Sequence, residues 1–151
     1  MSLKKHLLGG ALACAIPLVG YYEGRNLTAY LDPVGLPTIC YGSTTGVRLG
    51  QTRTAAECDA LLSAELGVAI ASVDRLTTQP QPDTRRAALG SFVYKVGPGA
   101  FERSTLLRKL NAGDVAGACA ELSRWVYAGG RQLGGLIKRR AAERELCEVG
   151  L

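Results

Sequence analysis

The chain has 151 residues, of which 47% are hydrophobic and 21% charged, so it can form one folded domain with its own core and is not an intrinsically disordered chain. Its formal net charge of +5 favours a polyanionic partner, for which nucleic acid, anionic lipid and bacterial cell wall all qualify. Nucleic acid is the weakest candidate, because there is no long Lys/Arg run and only 6% of residues are aromatic. A basic solvated surface without a specific partner is the alternative.

The first predicted element is an apolar segment that follows Lys4 and Lys5 and runs from Leu7 to Tyr22. It is shorter than the roughly 20 residues of a membrane-spanning helix, and its glycines and alanines make it weakly hydrophobic. Basic residues before a short apolar run are typical of a signal peptide or a marginal signal anchor. A plain first core helix and a permanent anchor are the other interpretations.

The elements that follow predict an α+β chain. Residues 24–50 are rich in Gly, Pro and Thr and predict a small hairpin or meander. Thr54 and Glu57 form a capping-box pattern at the start of a helix that extends to about Leu76. Four more helices are predicted from the apolar periodicity and the Gly and Pro breaks: Arg85 to Val96, Ser104 to Gly113, Asp114 to about Ala128, and Ile137 to Val149.

One group of polar residues can carry chemistry. Glu23 ends the apolar segment, and Asp32 and Thr38 flank the turn of the predicted hairpin. A hairpin that folds back over the helix end brings all three into one cleft. Cleavage of a glycosidic bond needs such a set, with an acid to protonate the leaving oxygen and a carboxylate to handle the water or the ring cation. The spacing alone is weak evidence, because two surface carboxylates around a turn are common.

Several motifs in the same order resemble the phage-type lysozymes, glycoside hydrolase family 24. The stretch EGRNLTAYLDPVGLPTICYG is similar to that family's Glu–(8)–Asp–(5)–Thr signature, with Glu23, Asp32 and Thr38 at its positions. GVRLGQTRTAAECDALL resembles the segment that leaves the small lobe, and two further stretches resemble the helical lobe: ALGSFVYKVGPGAFERSTLLRKLNAGD and ACAELSRWVYAGGRQLGGLIKRRAAERELC. The resemblance covers about residues 20–150.

This resemblance implies a lysozyme-like α+β fold over residues 23–151, with a small β lobe at about 24–50 and a larger all-helical lobe at about 52–151. It implies an endolysin muramidase that hydrolyses the β-1,4 bond between N-acetylmuramic acid and N-acetylglucosamine in peptidoglycan during host lysis. Glu23 is then the general acid, and Asp32 and Thr38 position the attacking water. Inversion is the family's usual outcome, with carboxyl groups about 6.5–9.5 Å apart.

Further substrate contacts are expected at Tyr41 and Gly42, beside the triad, and at Ser91 and Asn111 in the helical lobe. Phe92 and Trp125 are expected in the core rather than under a sugar. The run from Arg139 to Glu145 predicts a helical face with i,i+4 ion pairs and no part in the chemistry. No cofactor and no metal are expected, because metal-ligand spacing of cysteine and histidine is absent from the sequence.

The five cysteines suit an oxidising compartment, although buried unpaired cysteines are the alternative. We expect Cys40–Cys58, which ties the hairpin to the next helix, and Cys119–Cys147, which ties the last helix to its neighbour. Cys14 is left over, either free or exchanging with a disulfide. Relatives with such redox control carry a catalytic Cys where this chain has Thr38, so caging of the catalytic residue itself is doubtful here.

The resemblance is greatest to the members with an N-terminal signal-anchor-release segment. Residues 1–22 are then inserted by the host secretion machinery, tethered through residues 7–22 to the inner membrane on the periplasmic side, and later released to become the first helix. The alternative location is the host cytoplasm, with holin-dependent release. The enzyme is expected to be a monomer that acts on peptidoglycan and not on nucleic acid.

Two other functions fit part of the pattern. A lytic transglycosylase cuts the same bond with one acid and leaves a 1,6-anhydro product, but the Asp32 and Thr38 pair disfavours it. A non-catalytic basic module that binds the cell wall accounts for the net charge without any chemistry.

Overall fold

The structure is a computed structural model that describes the backbone from residue 3 to residue 151 and the side chains from residue 9 onward. The predicted first segment, residues 1–22, therefore has its first two residues outside the described part. The chain order is α1 (Leu3–Glu23), β1 (Asn26–Leu31), β2 (Pro37–Cys40), α2 (Ala55–Leu76), α3 (Asp83–Val96), α4 (Pro98–Glu102), α5 (Thr105–Asn111), α6 (Val115–Glu121), a 3₁₀ turn (Leu122–Arg124), β3 (Tyr127–Ala128), β4 (Arg131–Gln132) and α7 (Gly134–Cys147).

Helix α1 packs on α2 and α3 through a stripe of small side chains. Ala11, Ala15 and Val19 recur every four residues, so they lie on one face, and all three are fully buried. They join a core cluster with Leu62, Leu66 and Ile70 of α2 and with Ala87 of α3. The helix ends because Gly24 adopts a left-handed backbone, with φ of +69°, and donates its N–H to the carbonyl of Gly20.

Strands β1 and β2 form an antiparallel hairpin that follows α1 directly, as the sequence predicts for residues 24–50. Tyr30 pairs with Thr38 and Leu31 with Pro37, so the turn begins at Asp32. The Cys40–Cys58 disulfide joins the end of β2 to the first turns of α2. The hairpin is therefore covalently held against the helical part of the molecule.

The predicted helix after residue 54 is present with its capping box. The Thr54 side chain accepts a hydrogen bond from the Glu57 amide, and the Glu57 carboxylate accepts one from the Thr54 amide. Helix α3 lies at the centre and is buried along its length from Arg85 to Val93. Phe92 is fully buried in the main core cluster, which confirms the prediction for this residue, and it stacks edge-on against Phe101. Trp125 stacks edge-on against Phe92 but is only partly buried at the side of that cluster.

The prediction of one helix from Asp114 to about Ala128 is wrong. Asp114 caps α6 as expected, but α6 ends at Glu121, and a second hairpin follows the 3₁₀ turn. Gly129 and Gly130 form its two-residue turn, both with positive φ, which glycine adopts without strain. The short helix α4 was not predicted, because glycine and proline, as in Gly97–Pro98–Gly99, usually mark the end of a helix. Pro98 instead occupies the first position of the new helix.

The second disulfide, Cys119–Cys147, ties α6 to the end of α7, and both disulfides have the partners expected from the sequence. Cys14 forms no disulfide. Within the part of the chain that is described, no helix has both the length and the apolar character that crossing a membrane requires.

Candidate active site

The carboxylate of Glu23 lies at the meeting point of α1, β2, α3 and α7. Its side chain is only 13% exposed. Oε1 accepts a hydrogen bond from Nη1 of Arg139 at 2.5 Å, and the Lys95 ammonium is 4.0 Å from the same oxygen. On the other side, a Cβ atom added to Gly42 would lie 2.9 Å from Oε2. The carboxylate is thus enclosed by two cations and by a backbone that only glycine allows to come so near.

Arg139 is itself held by a buried network on α3 and α7. Its Nη2 donates to the Ser91 carbonyl at 3.2 Å, and its Nε donates to Oε2 of Glu143 at 3.4 Å. The Ser91 hydroxyl donates to the same Glu143 oxygen at 2.6 Å. Arg140 donates to the other oxygen, Oε1. None of these four side chains has a fully buried nitrogen or oxygen atom without a hydrogen-bond partner, as buried charges require.

This network corrects one prediction. The i,i+4 pair of Arg139 and Glu143 is present, but it is buried and not on a solvated face. Arg139 also donates a hydrogen bond directly to the candidate acid, Glu23. The segment from Arg139 to Glu145 is therefore part of the candidate site. Ser91, predicted as a substrate contact, is fully buried and helps to hold Arg139.

Asp32 and Thr38 are fixed by one carbonyl group in the hairpin turn. The carbonyl of Leu36 accepts from the Asp32 amide at 3.0 Å and from the Thr38 hydroxyl at 2.9 Å. Oδ1 of Asp32 accepts from the amides of Val34 and Leu36, which leaves Oδ2 without a hydrogen bond among the described residues. Thr38 is buried, and its hydroxyl hydrogen is donated to the Leu36 carbonyl. The Thr38 hydroxyl oxygen can therefore only accept further hydrogen bonds.

Tyr41 and Gly42 continue the chain from β2 toward Glu23. The Tyr41 hydroxyl donates to Oδ1 of Asp59 at 2.6 Å, and this hydrogen bond raises the pKa of the tyrosine. The Tyr94 hydroxyl donates to the Tyr41 carbonyl at 2.6 Å, and burial raises the Tyr94 pKa far above its ordinary value. Tyr94 therefore stays protonated and keeps donating, which fixes the backbone that leads into Gly42.

Asn111, the last predicted contact, lies elsewhere. Its amide nitrogen donates to the Leu76 carbonyl at 3.0 Å, and its amide oxygen accepts from the Thr78 amide at 3.0 Å. These bonds join the end of α5 to the loop after α2. The structure thus gives Asn111 a part in holding that loop.

Three residues at the site were missed from the sequence: Lys95, Tyr94 and Arg139. Arg139 lies in a helix where Arg and Glu alternate, and such a pattern is usually solvated. The sequence nevertheless contains a sign of this burial, because a helix that packs against α3 has to bury one face of the segment from Arg139 to Glu145. In the described residues, no three His, Cys, Asp or Glu side chains lie close enough together to hold a metal ion.

Comparison with known proteins gives one consistent result. The family model for phage lysozymes matches residues 20–143. The SAR-endolysin of Enterobacteria phage PA-2 is 46% identical over an alignment of 149 positions that covers 94% of this chain and 90% of that protein. The SAR-endolysin of Bacteriophage PS119 is 44% identical over an alignment of 156 positions that covers 99% of this chain and 93% of that one.

A solved structure shares the fold. The muramidase domain of SpmX from Asticaccaulis excentricus superposes with a TM-score of 0.82 at 33% identity, covering 89% of this chain and 94% of that one.

Proposed function

Because the chain belongs to the phage lysozyme family and is a muramidase of the endolysin type, we propose that Glu23, Asp32 and Thr38 are its catalytic residues. The observation that carries this proposal is the enclosed carboxylate of Glu23, held between Arg139 and Gly42 at the base of the hairpin that bears the other two. The substrate is peptidoglycan, cut at the β-1,4 bond that joins N-acetylmuramic acid to N-acetylglucosamine. The net charge of +5 attracts the enzyme to this anionic polymer.

Glu23 donates a proton to the oxygen of the leaving sugar. Its carboxylate is held in place by Arg139, and Arg139 is itself fixed by the Ser91 carbonyl and by Glu143 before any substrate binds. A carboxyl group whose location is set in advance needs no reorganisation during the reaction. Gly42 lets the sugar and the carboxyl group approach the same stretch of backbone.

Asp32 and Thr38 orient the attacking water. The Thr38 oxygen can only accept a hydrogen bond, and Oδ2 of Asp32 is an available acceptor. A water molecule that donates one hydrogen to each has its lone pairs directed away from both, toward the anomeric carbon. Asp32 also takes up the proton that the water loses. Attack from the face opposite the leaving oxygen inverts the anomeric centre.

The test compares Glu23→Gln with Glu102→Gln, which removes one carboxylate from an exposed position at the end of α4. Glu23→Gln should keep the circular dichroism spectrum and lower the release of reducing ends from purified peptidoglycan by at least a hundredfold. Glu102→Gln should retain wild-type activity. Retained activity in Glu23→Gln refutes the assignment. A 1,6-anhydro product in the mass spectrum of the wild-type digest refutes the hydrolytic route in favour of a transglycosylase.

The N-terminal segment gives the enzyme a second state. The matched relatives carry the name SAR-endolysin, and residues 7–22 have the short, weakly apolar character of a releasable anchor. The host secretion machinery inserts this segment into the inner membrane, with the rest of the chain in the periplasm. On release the segment folds as α1. Since α1 ends at Glu23, its departure from the membrane delivers the acid to the site as a monomeric enzyme.

A further inference from the structure

The turn of the first hairpin presents an apolar surface to solvent. In residues 31–37, which we call the apolar turn, Asp32 has the only polar side chain. Val34 is 86% exposed, and Leu31 and Leu36 are each about half exposed. These three side chains belong to none of the core clusters that the described residues form, and the proposed hydrolysis does not use them.

Every backbone N–H group in residues 32–37 has an acceptor inside the turn. The amides of Asp32 and Gly35 donate to carbonyl groups of the turn, at 3.0 and 2.9 Å. The amides of Val34 and Leu36 both donate to Oδ1 of Asp32. The other two residues are prolines, which have no N–H. The turn can therefore leave water without stranding a donor, which is what entry into lipid requires of a backbone.

A basic side chain lies beside the apolar turn. Residues 24–54 contain three arginines and a single carboxylate. Thr28 pairs with Thr52 in antiparallel register, so the segment that precedes Thr52 lies at the turn end of β1. This segment carries Arg48 and Leu49, and both are exposed. In the part of the chain that the structure describes, Arg48 takes part in no ion pair, so its charge is available to an anion.

This combination fits the surface of an anionic bilayer. Apolar side chains enter the boundary between headgroups and acyl chains, and an arginine next to them attracts lipid phosphate. Asp32 is less exposed than its neighbours in the turn, so shallow entry of Val34 and Leu36 leaves its carboxylate at the level of the headgroups. The turn has no free N–H group to offer a protein partner, whereas a lipid surface requires none.

We propose that the apolar turn binds the surface of a bilayer that contains anionic phospholipid, with Val34 and Leu36 in the lipid and Arg48 on a phosphate. This contact is separate from the proposed anchor in residues 7–22, because it is made by the folded enzyme after release. It does not depend on the proposed hydrolysis either, since binding to lipid needs no glycan. The contact keeps the released enzyme at the membrane surface.

The test measures binding of the purified full-length enzyme to vesicles by flotation. One set of vesicles is phosphatidylcholine alone, and the other contains phosphatidylcholine and phosphatidylglycerol in equal parts. The wild-type enzyme should bind the anionic vesicles about fivefold more tightly than the neutral ones, and Arg48→Gln should remove most of that difference. Val34→Ser should weaken binding to the anionic vesicles about tenfold, because it takes a valine out of the lipid.

Val68→Ser is the matched control, because Val68 is 69% exposed on α2, outside the apolar turn, and this variant should bind as the wild-type enzyme does. Circular dichroism checks that each variant is folded.

Equal binding by Val34→Ser and Val68→Ser overturns the proposal, because another surface then binds the vesicles. A wild-type enzyme that binds neither kind of vesicle overturns it as well, and equal binding to both kinds refutes the role of anionic lipid. If the wild-type enzyme sediments as a dimer that Val34→Ser dissociates, the turn binds a second copy and the lipid proposal fails. None of these results depends on glycan cleavage, so a failure of the proposed hydrolysis is distinguished from a failure of this proposal.

Discussion

Glycine is required at position 42 for two reasons, the left-handed backbone conformation there and the nearby carboxylate of Glu23. Its φ of +84° lies in the left-handed region, and a Cβ there would meet Oε2 of Glu23 at 2.9 Å. Gly46, four residues later, has a similar φ of +68° but open space where its Cβ would be. The two positions therefore separate the cost of the backbone from the cost of displacing the carboxylate.

We expect Gly42→Ala and Gly46→Ala to lower the free energy of unfolding by a similar amount, about 1–2 kcal/mol, because both force a left-handed alanine. Only Gly42→Ala should also lower kcat, by at least tenfold, because the methyl group displaces a carboxylate held by Arg139. Urea denaturation and the rate of reducing-end release give the two quantities. Equal kcat values for the two variants would show that Gly42 acts only through its backbone.

At the residue scale, the resemblance to phage lysozymes predicts Glu23, Asp32 and Thr38 as catalytic residues, whereas Arg139 was not predicted at the site. The difference has a physical cause. A short-range pattern such as a hairpin turn places Asp32 and Thr38 close together by local chain geometry. Arg139 reaches Glu23 across 116 residues of sequence, and only the packing of α7 on α3 brings them together.

At the element scale, the predicted helix boundaries agree with the structure where the sequence has a strong local start or stop signal. The Thr54 capping box began α2, and the chain after Val96 left α3 at Gly97. The hairpin of β3 and β4 was missed because each strand has only two residues, too few to show an alternating pattern. Its turn signal, Gly129–Gly130, lies directly after the predicted helix end at about Ala128, where two glycines equally well end a helix. This hairpin lines a cavity beside Lys95, so the missed hairpin also left that cavity unpredicted.

Two adjacent glycines in α1 have opposite surroundings. A Cβ on Gly9 meets nothing within 4 Å, whereas a Cβ on Gly10 would lie 2.2 Å from Oδ2 of Asp83. Asp83 is at the start of α3 and pairs with Arg86 at 2.9 Å. The Asp83 side chain is short, so it can move away only by disturbing that ion pair. Gly10 therefore sets how closely α1 packs on α3.

We expect Gly9→Ala to raise the free energy of unfolding by about 0.5–1 kcal/mol, because alanine favours the helix at an open position. Gly10→Ala should lower it by about 1–2 kcal/mol despite the same gain in helix propensity, because the methyl group overpacks the contact with Asp83. Thermal and urea denaturation of the purified variants measures both effects. A gain in stability for both variants would show that Asp83 yields without cost.

At the scale of the whole molecule, α1 has two requirements that its small residues meet together. In the folded enzyme, Gly10, Ala11 and Ala15 let the helix pack closely on α2 and α3. In the proposed membrane-bound state, the same residues keep the segment weakly hydrophobic, since each lacks several of the CH₂ groups of Leu that favour lipid by about 0.8 kcal/mol each. The fold thus restricts Gly10, Ala11 and Ala15 to small residues, so the segment cannot become a stronger anchor at these three positions.

Gly9 is an exposed position where the two requirements separate. Gly9→Leu should leave the activity of the purified enzyme unchanged, because the new side chain points into open space, while it lengthens retention in the inner membrane and delays lysis. Gly135→Leu makes the same change at an open position in the first turn of α7 and should not delay lysis. Fractionation of host membranes over time, together with culture turbidity, measures the delay. A Gly9→Leu enzyme that leaves the membrane on the wild-type schedule would contradict the release of residues 7–22 as the controlling step.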